Sequence, residues 1–223
     1  MGAGIFEVIG PVMVGPSSSH TAGAVRIGAI ANRICGGIPA RVNFYLHGSF
    51  AETYRGHGTD NALVGGILGM SPSDERLRNS FQYARKQGLE FDFNTIDLGD
   101  VHPNTIKIVM HARDGLIHEV IGSSIGGGSV LISSVDNSRV EFSGKYPTIF
   151  TSHEDKPGLI ARVTSLFADR GINIAFLKVF RYSRGSDASM LVETDAQMPA
   201  DLIGAIGKLE GIKSIVYINE IYS

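Results

Sequence analysis

From about Tyr146 onward the spacing of apolar residues changes in a fixed order, and that order leaves few folds open. Thr148 to Ser152 is an apolar strand, and His153-Glu154-Asp155-Lys156-Pro157-Gly158 is a loop. Leu159, Val163, Leu166 and Phe167 then recur on one face of a helix that Gly171 stops. Ile172 to Phe180 and Ala188 to Thr194 read as two strands around the turn Ser183-Arg184-Gly185-Ser186. Pro199 opens a second helix with Leu202, Ile206 and Leu209 on one face, Gly211 ends it, and Ile212 to Ile221 alternates as a last strand. The order βαββαβ is the ferredoxin-like split motif, which assigns residues 146–223 to one domain and 1–145 to another.

The first 145 residues are punctuated differently. The densest run of small hydroxyl side chains, Gly15-Pro16-Ser17-Ser18-Ser19-His20-Thr21, follows the strand-like Val12-Met13-Val14 and precedes a helical pattern of Ala24, Val25, Ile27, Ala31 and Ile34. A helix start leaves amide N–H groups without partners and carries partial positive charge, so hydroxyls there read either as an ordinary N-cap or as a socket for a carboxylate or phosphate. Two further breaks have the same character: Gly56-His57-Gly58-Thr59-Asp60, and His102-Pro103-Asn104-Thr105. Each sets a histidine beside hydroxyl or amide side chains at a glycine or proline where an element ends. One such break is unremarkable; three point to a site. His47, His111 and His118 lack this setting and read as ordinary strand or surface residues.

Between the breaks, Ala40 to Leu46 alternates as a strand (Val42, Phe44, Leu46), Ala62 to Leu68 is helical, and a helix runs from Ser73 to about Gln87. Phe91 to Thr95, Ile106 to Ala112 and Leu116 to Ile121 are strands, the last two joined at Asp114-Gly115. A second hairpin joins Val130–Ser133 to Arg139–Phe142 through Asp136-Asn137. Early helices followed by antiparallel strands give an α+β fold.

Hydrophobic content of 43% with 19% charged residues describes a packed globular chain, and a net charge of −2 offers no footprint for nucleic acid or an anionic membrane. No apolar run nears the ~20 residues that span a bilayer, so the cytoplasm is the expected location. The single cysteine, Cys35, rules out an internal disulfide and cannot hold a zinc or iron–sulfur site by itself. It reads as a buried structural thiol. No Gly-x-Ser-x-Gly elbow is present, which argues against a free-standing hydrolase.

The C-terminal pattern resembles an ACT domain, an amino-acid-sensing module, and is most similar to the sensor of bacterial phosphoglycerate dehydrogenase. The carriers are His153-Glu154-Asp155-Lys156-Pro157-Gly158 and Gly171-Ile172-Asn173-Ile174-Ala175. The resemblance implies effector binding by His153, Asp155 and Asn173, with Asp155 standing where the family has asparagine, and side-by-side pairing of two copies.

The four segments Gly15 to Thr21, Gly56 to Asp60, His102 to Thr105 and Ser124-Ile125-Gly126-Gly127-Gly128, in that order and followed by this module, resemble the beta subunit of bacterial iron–sulfur L-serine dehydratase. That family makes pyruvate and ammonia from L-serine with a four-iron, four-sulfur cluster. In two-chain members the cluster is held by the alpha subunit, which fits the one-cysteine count here. The resemblance implies His57 and His102 as acid/base residues, with Thr59 supporting His57. Ser17, Ser18, Ser19, His20, Thr21 and Asn104 would orient substrate. It also implies similarity of the first domain to the additional substrate-binding domain of some phosphoglycerate dehydrogenases, so a purely regulatory serine-binding protein is the competing expectation.

Overall fold

The computed structural model describes residues 12–15, 17–181 and 186–221. The turn expected at Ser183 to Ser186 lies mostly outside the described residues, as does Pro16. Two compact units are present, with the changeover inside residues 138–143.

The first unit is a six-stranded sheet carrying helices. A π-helical turn, Ser18–Gly23, leads into α1 (Ala24–Ile34), followed by β1 (Arg41–Leu46), α2 (Gly48–Thr53) and α3 (Thr59–Ile67). A 3-10 turn, Glu75–Asn79, runs into α4 (Ser80–Lys86), and then come β2 (Glu90–Thr95), β3 (Thr105–His111), β4 (Ile117–Gly126), β5 (Ser129–Val135) and β6 (Ser138–Phe142). The strand order is β2-β1-β3-β4-β5-β6. β1 and β2 pair in parallel, as the intervening helices require, whereas β1–β3, β3–β4 and β4–β5 are antiparallel. The alternation read in β1 is real: Val42, Phe44 and Leu46 are fully buried, as are Ile106, Ile108 and Met110 opposite them on β3. The turn at Asp136-Asn137 has both residues left-handed (φ 48° and 61°), the backbone that a two-residue hairpin of this twist demands.

Several expectations are corrected. Val12 to Val14 forms no strand; Val12 is 87% exposed, and the Val14 N–H donates to Pro72 O at 2.9 Å. The single helix expected over 73–87 is instead the 3-10 turn plus α4, because Asp74 caps a short turn by accepting from the Arg76 N–H at 2.9 Å. Residues 48–53 form a helix the periodicity did not suggest. Cys35 is half-buried at the end of α1 rather than fully buried.

A close backbone contact joins α1 to α3 through two glycines. A Cβ on Gly28 would come within 2.6 Å of Leu63 O and 3.1 Å of Gly66 Cα, and one on Gly66 would strike Val25 O. Asn32 Nδ2 secures the far end by donating to Ile67 O at 2.8 Å. Backbones this close leave room for no side chain. Gly122 on β4 likewise admits Ile27 of α1 onto the sheet.

The second unit is β7 (Thr148–Glu154), α5 (Leu159–Ala168), β8 (Ile174–Arg181), β9 (Asp187–Thr194), α6 (Ala200–Gly207) and β10 (Ile212–Ile218), with sheet order β10-β7-β9-β8. This is the expected ferredoxin-like βαββαβ. Val163 and Phe167 from α5 and Leu202 and Ile206 from α6 pack on Ile149, Met190 and Val192 to form its core.

Gly66→Ala should lower unfolding stability by about 1–3 kcal/mol through overpacking at the helix contact. Gly204→Ala, in α6 where an added Cβ meets nothing within 4 Å, should raise it by about 0.4–1 kcal/mol. Denaturant melts of both variants check the pair, and a Gly66→Ala protein as stable as wild type would show that the contact is looser than described.

Candidate active site

The three polar breaks and the glycine-rich segment meet around the π-helical turn. Ser17 caps that turn, its Oγ accepting from the His20 N–H at 3.3 Å, so the capping reading holds for Ser17. The same Oγ lies 3.3 Å from His20 Nδ1, while His20 Nε2 lies 3.3 Å from Ser49 Oγ on α2. Serine hydroxyls can donate or accept, so both contacts suit a neutral imidazole in either tautomer. Burial, and secondarily the neighbouring His57, hold His20 below the ordinary histidine range. The His20 ring stands edge-on to Phe50 at 5.4 Å and 4.8 Å from the ring of His57.

His57 reaches that position because Gly58 takes a left-handed conformation (φ 69°) at the start of α3. Its Nδ1 is buried and has no hydrogen-bond partner. Thr59 is wholly buried, and its Oγ1 makes no hydrogen bond to His57 or to anything else among the described residues. Thr21 Oγ1 is in the same condition, roofed by Gly15, on which a Cβ would collide with the Thr21 side chain. Ser18 and Ser19 are half-buried in the turn, without side-chain hydrogen bonds among the described residues.

The third break joins through the backbone. Pro103 packs on Gly48 so closely that a Cβ there would lie 2.7 Å from Pro103 O, beside Ser49. Asn104 O accepts from the Ser124 N–H at 2.9 Å. Ser124, fully buried, presses against Gly23 at the end of the π-helical turn. A closed circuit therefore runs from His20 through Ser49, Gly48, Pro103, Asn104 and Ser124 back to Gly23. His102 itself is exposed, with Nδ1 accepting from the Asn104 N–H at 3.1 Å. It does not line the cleft that His57 lines.

That cleft has a volume of about 560 Å³ and is walled by Gly15, Thr21, Arg55, His57, Asn61 and Arg78, among others. Ser49, Arg55 and Arg78 were not singled out from sequence. Ser49 follows Gly48 in a glycine break like the others and was open to the same reasoning; Arg78 gave no signal, since only the folding of the 3-10 turn against α3 brings it there.

No three His, Cys, Asp or Glu side chains gather as a metal site among the described residues. Burial pushes the Cys35 thiol up, the reverse of what a thiolate ligand needs. The residues present do not fit a four-iron, four-sulfur cluster.

In the second unit the candidate effector residues are not assembled. His153 is 2% exposed, and burial lowers its imidazole against the opposing pull of Asp155 and Asp187. Asp155 is paired with Arg181 at 2.9 Å. Asn173 donates to Asp195 at 2.6 Å. His153 and Arg181 both register with Ala188, whereas Ile174, next to Asn173, registers with Thr194. Six residues of β9 separate the two ends, roughly 20 Å at ~3.3 Å per residue.

The serine dehydratase beta chain family matches residues 5–84, and the ACT domain family matches residues 148–211. The chain is 44% identical to the L-serine dehydratase beta chain of Peptoniphilus asaccharolyticus, over 96% of each chain. It is 41% identical to the probable L-serine dehydratase beta chain of Bacillus subtilis (strain 168), over 96% of this chain and 97% of that one. It is also 26% identical to the D-3-phosphoglycerate dehydrogenase of a Synechocystis species, over 85% of this chain but 34% of that one. With its histidine–hydroxyl cleft in one unit and an ACT domain in the other, the chain belongs to the L-serine dehydratase beta-chain family.

Proposed function

We propose that this chain is the beta subunit of an L-serine ammonia-lyase, completing an active site whose four-iron, four-sulfur cluster is held by a separate alpha subunit. The observation that carries the reading is the unpartnered, buried Nδ1 of His57, lining an open cleft and set against the neutral imidazole of His20. A buried nitrogen without a partner is costly unless something arrives to use it. Conversion of L-serine to pyruvate starts with loss of the α-proton and of the β-hydroxyl as water. The resulting 2-aminoacrylate tautomerises to an imine, to which water adds as ammonia leaves. This chain contributes the proton-handling side of that sequence.

His57 is the base in this proposal, because it shares a cleft with Thr21 and Asn61 that has room for a small amino acid. His102 serves as a second acid/base group at the edge of the circuit. Thr59, buried two residues after His57, supports it in this proposal. Ser17, Ser18, Ser19, His20, Thr21 and Asn104 orient the substrate, and the free acceptor of Asn104 Oδ1 is suited to an ammonium.

We assign the ACT unit to amino-acid regulation through paired copies. The distance between His153 and Asn173 favours a site completed by a second chain. Strand β8 also presents an edge on which Phe176, Leu177 and Val179 are each about 40% exposed or more. A purely regulatory serine-binding role is the second reading, favoured by the match to a phosphoglycerate dehydrogenase, whose named reaction is not a dehydration.

Purified alone, the chain should be colourless and form no pyruvate from L-serine; a stable iron–sulfur absorbance would overturn the two-chain assignment. Reconstituted anaerobically with its alpha subunit it should form pyruvate, with kcat falling by about 10²-fold or more in His57→Ala or His102→Ala. His118→Ala, on the β3–β4 hairpin, is the control, and equal activity in all three variants would leave the regulatory reading standing. In the ACT unit, Asp155→Asn removes a carboxylate and frees Arg181. L-Serine should then bind the full chain more tightly by about 1–2 kcal/mol in titration calorimetry; tighter binding by wild type would make Asp155 a ligand for the ammonium.

A further inference from the structure

The walls of the His57 cleft carry an uneven charge. Of the residues that line it, Arg55 and Arg78 are cationic and none is a carboxylate. Neither guanidinium has a carboxylate within ion-pair distance among the described residues. Arg76, two positions before Arg78, shows the contrast: its fork is closed on Asp74 at 2.6 Å, so it is neutralised in place. Arg55 is braced differently, with its guanidinium carbon 5.3 Å from the centre of the Tyr54 ring, a contact that orients the group without cancelling its charge. Asp60, whose carboxylate feels the charge of Arg55, does not line the cleft. Burial pushes its carboxyl up, and its Oδ1 already accepts from the Asn61 N–H at 2.8 Å.

Two other groups lining the same cleft are unsatisfied among the described residues. Thr21, 3% exposed, offers an Oγ1 with no partner, and His57 offers its buried Nδ1. Two guanidinium groups without a carboxylate partner, lining one cleft with an unpaired hydroxyl and an unpaired imidazole nitrogen, are a site for a small anion with a reactive group attached. Arginine is the side chain whose planar fork matches a carboxylate with two parallel hydrogen bonds.

We propose that Arg55 and Arg78 are the residues that recognise the substrate's α-carboxylate, a role that neither motif nor spacing marks. The identity of the substrate rests on the dehydratase reading; the anion preference of the cleft does not. The assignment follows from the reaction's own geometry. The carbon that loses its proton is bonded directly to the carboxylate, so the anchor for that carboxylate has to lie in the same cleft as the base. Arg55 and Arg78 share the cleft of His57 and not the exposed position of His102. The same charge excludes molecules that carry only the ammonium end of serine.

Two probes divide serine's functional groups: 3-hydroxypropionate keeps the carboxylate and hydroxyl, and ethanolamine keeps the ammonium and hydroxyl. Histidine ring resonances of the full chain, followed by NMR, should shift saturably for His20 and His57 with 3-hydroxypropionate and not with ethanolamine, while His118 stays fixed. Arg55→Met with Arg78→Met should abolish the response, and Arg55→Lys with Arg78→Lys should retain part of it. Both side chains are exposed at the surface, so circular dichroism should be unchanged. In the reconstituted enzyme the Met pair should raise KM for L-serine by about 10-fold or more, the scale of a lost charged hydrogen bond, with kcat within about threefold. Unaltered 3-hydroxypropionate binding in the Met pair, a response to ethanolamine instead, or a response to inorganic phosphate alone would overturn the proposal. If wild-type enzyme makes no pyruvate at all, the dehydratase reading fails, and the binding arm still judges the arginines on its own.

Discussion

Everything in the first unit that bears on function depends on the contact between Gly28 and Gly66. Helix α1 follows directly from the turn that bears His20 and Thr21, and α3 begins at Thr59, two residues after His57. Fixing the glycines against one another holds α1 and α3 together, and with them the segments that lead into each. The two imidazole rings, carried on those segments, lie 4.8 Å apart. Any side chain at either glycine would push the helices apart and separate the rings, even though neither glycine touches the cleft.

Desolvation then sets the chemistry. Burial and the neighbouring His57 favour the neutral form of His20, and the serines at its two ring nitrogens orient the ring. The groups deepest in the site, Thr21, Thr59, Asn104, Ser124 and the Nδ1 of His57, carry hydrogen-bonding capacity that the described fold does not use. Cores do not ordinarily tolerate so many unmet groups in one place. Their concentration around one turn, beside a cleft that Arg55 and Arg78 also line, is what supports the proposed site over ordinary loop packing.

Elements whose periodicity is set by a single buried face were legible from sequence. Strand β1 and both helices of the ACT unit stand where the alternation and the helical spacing place them, and Asp136-Asn137 forms the hairpin its composition predicts. What was not legible depends on contacts distant in the chain. Helix α2 is short, and its apolar content is essentially Phe50, so it has no period to read. The interruption of the 73–87 helix arises from Asp74 closing on Arg76, a local choice that pattern alone does not distinguish from a first helical turn. The site's histidines were visible because glycine and proline flank them. Arg55 and Arg78 were hidden because a surface arginine looks the same in sequence whether it faces solvent or a cleft, and the ends of β9 are far apart only once strand register is known.

That register carries a consequence for how an ACT unit of this kind can respond to its surroundings. With His153 at one end of the sheet and Asn173 at the other, one copy holds only half of any ligand shell that uses both. Occupancy of a shell built from two halves follows mass action in the chain itself, rising with the amount of protein as well as with the amount of ligand. Under the paired-copy regulation proposed above, such a module would report abundance of its own subunit together with abundance of the amino acid, and dilution alone would silence it.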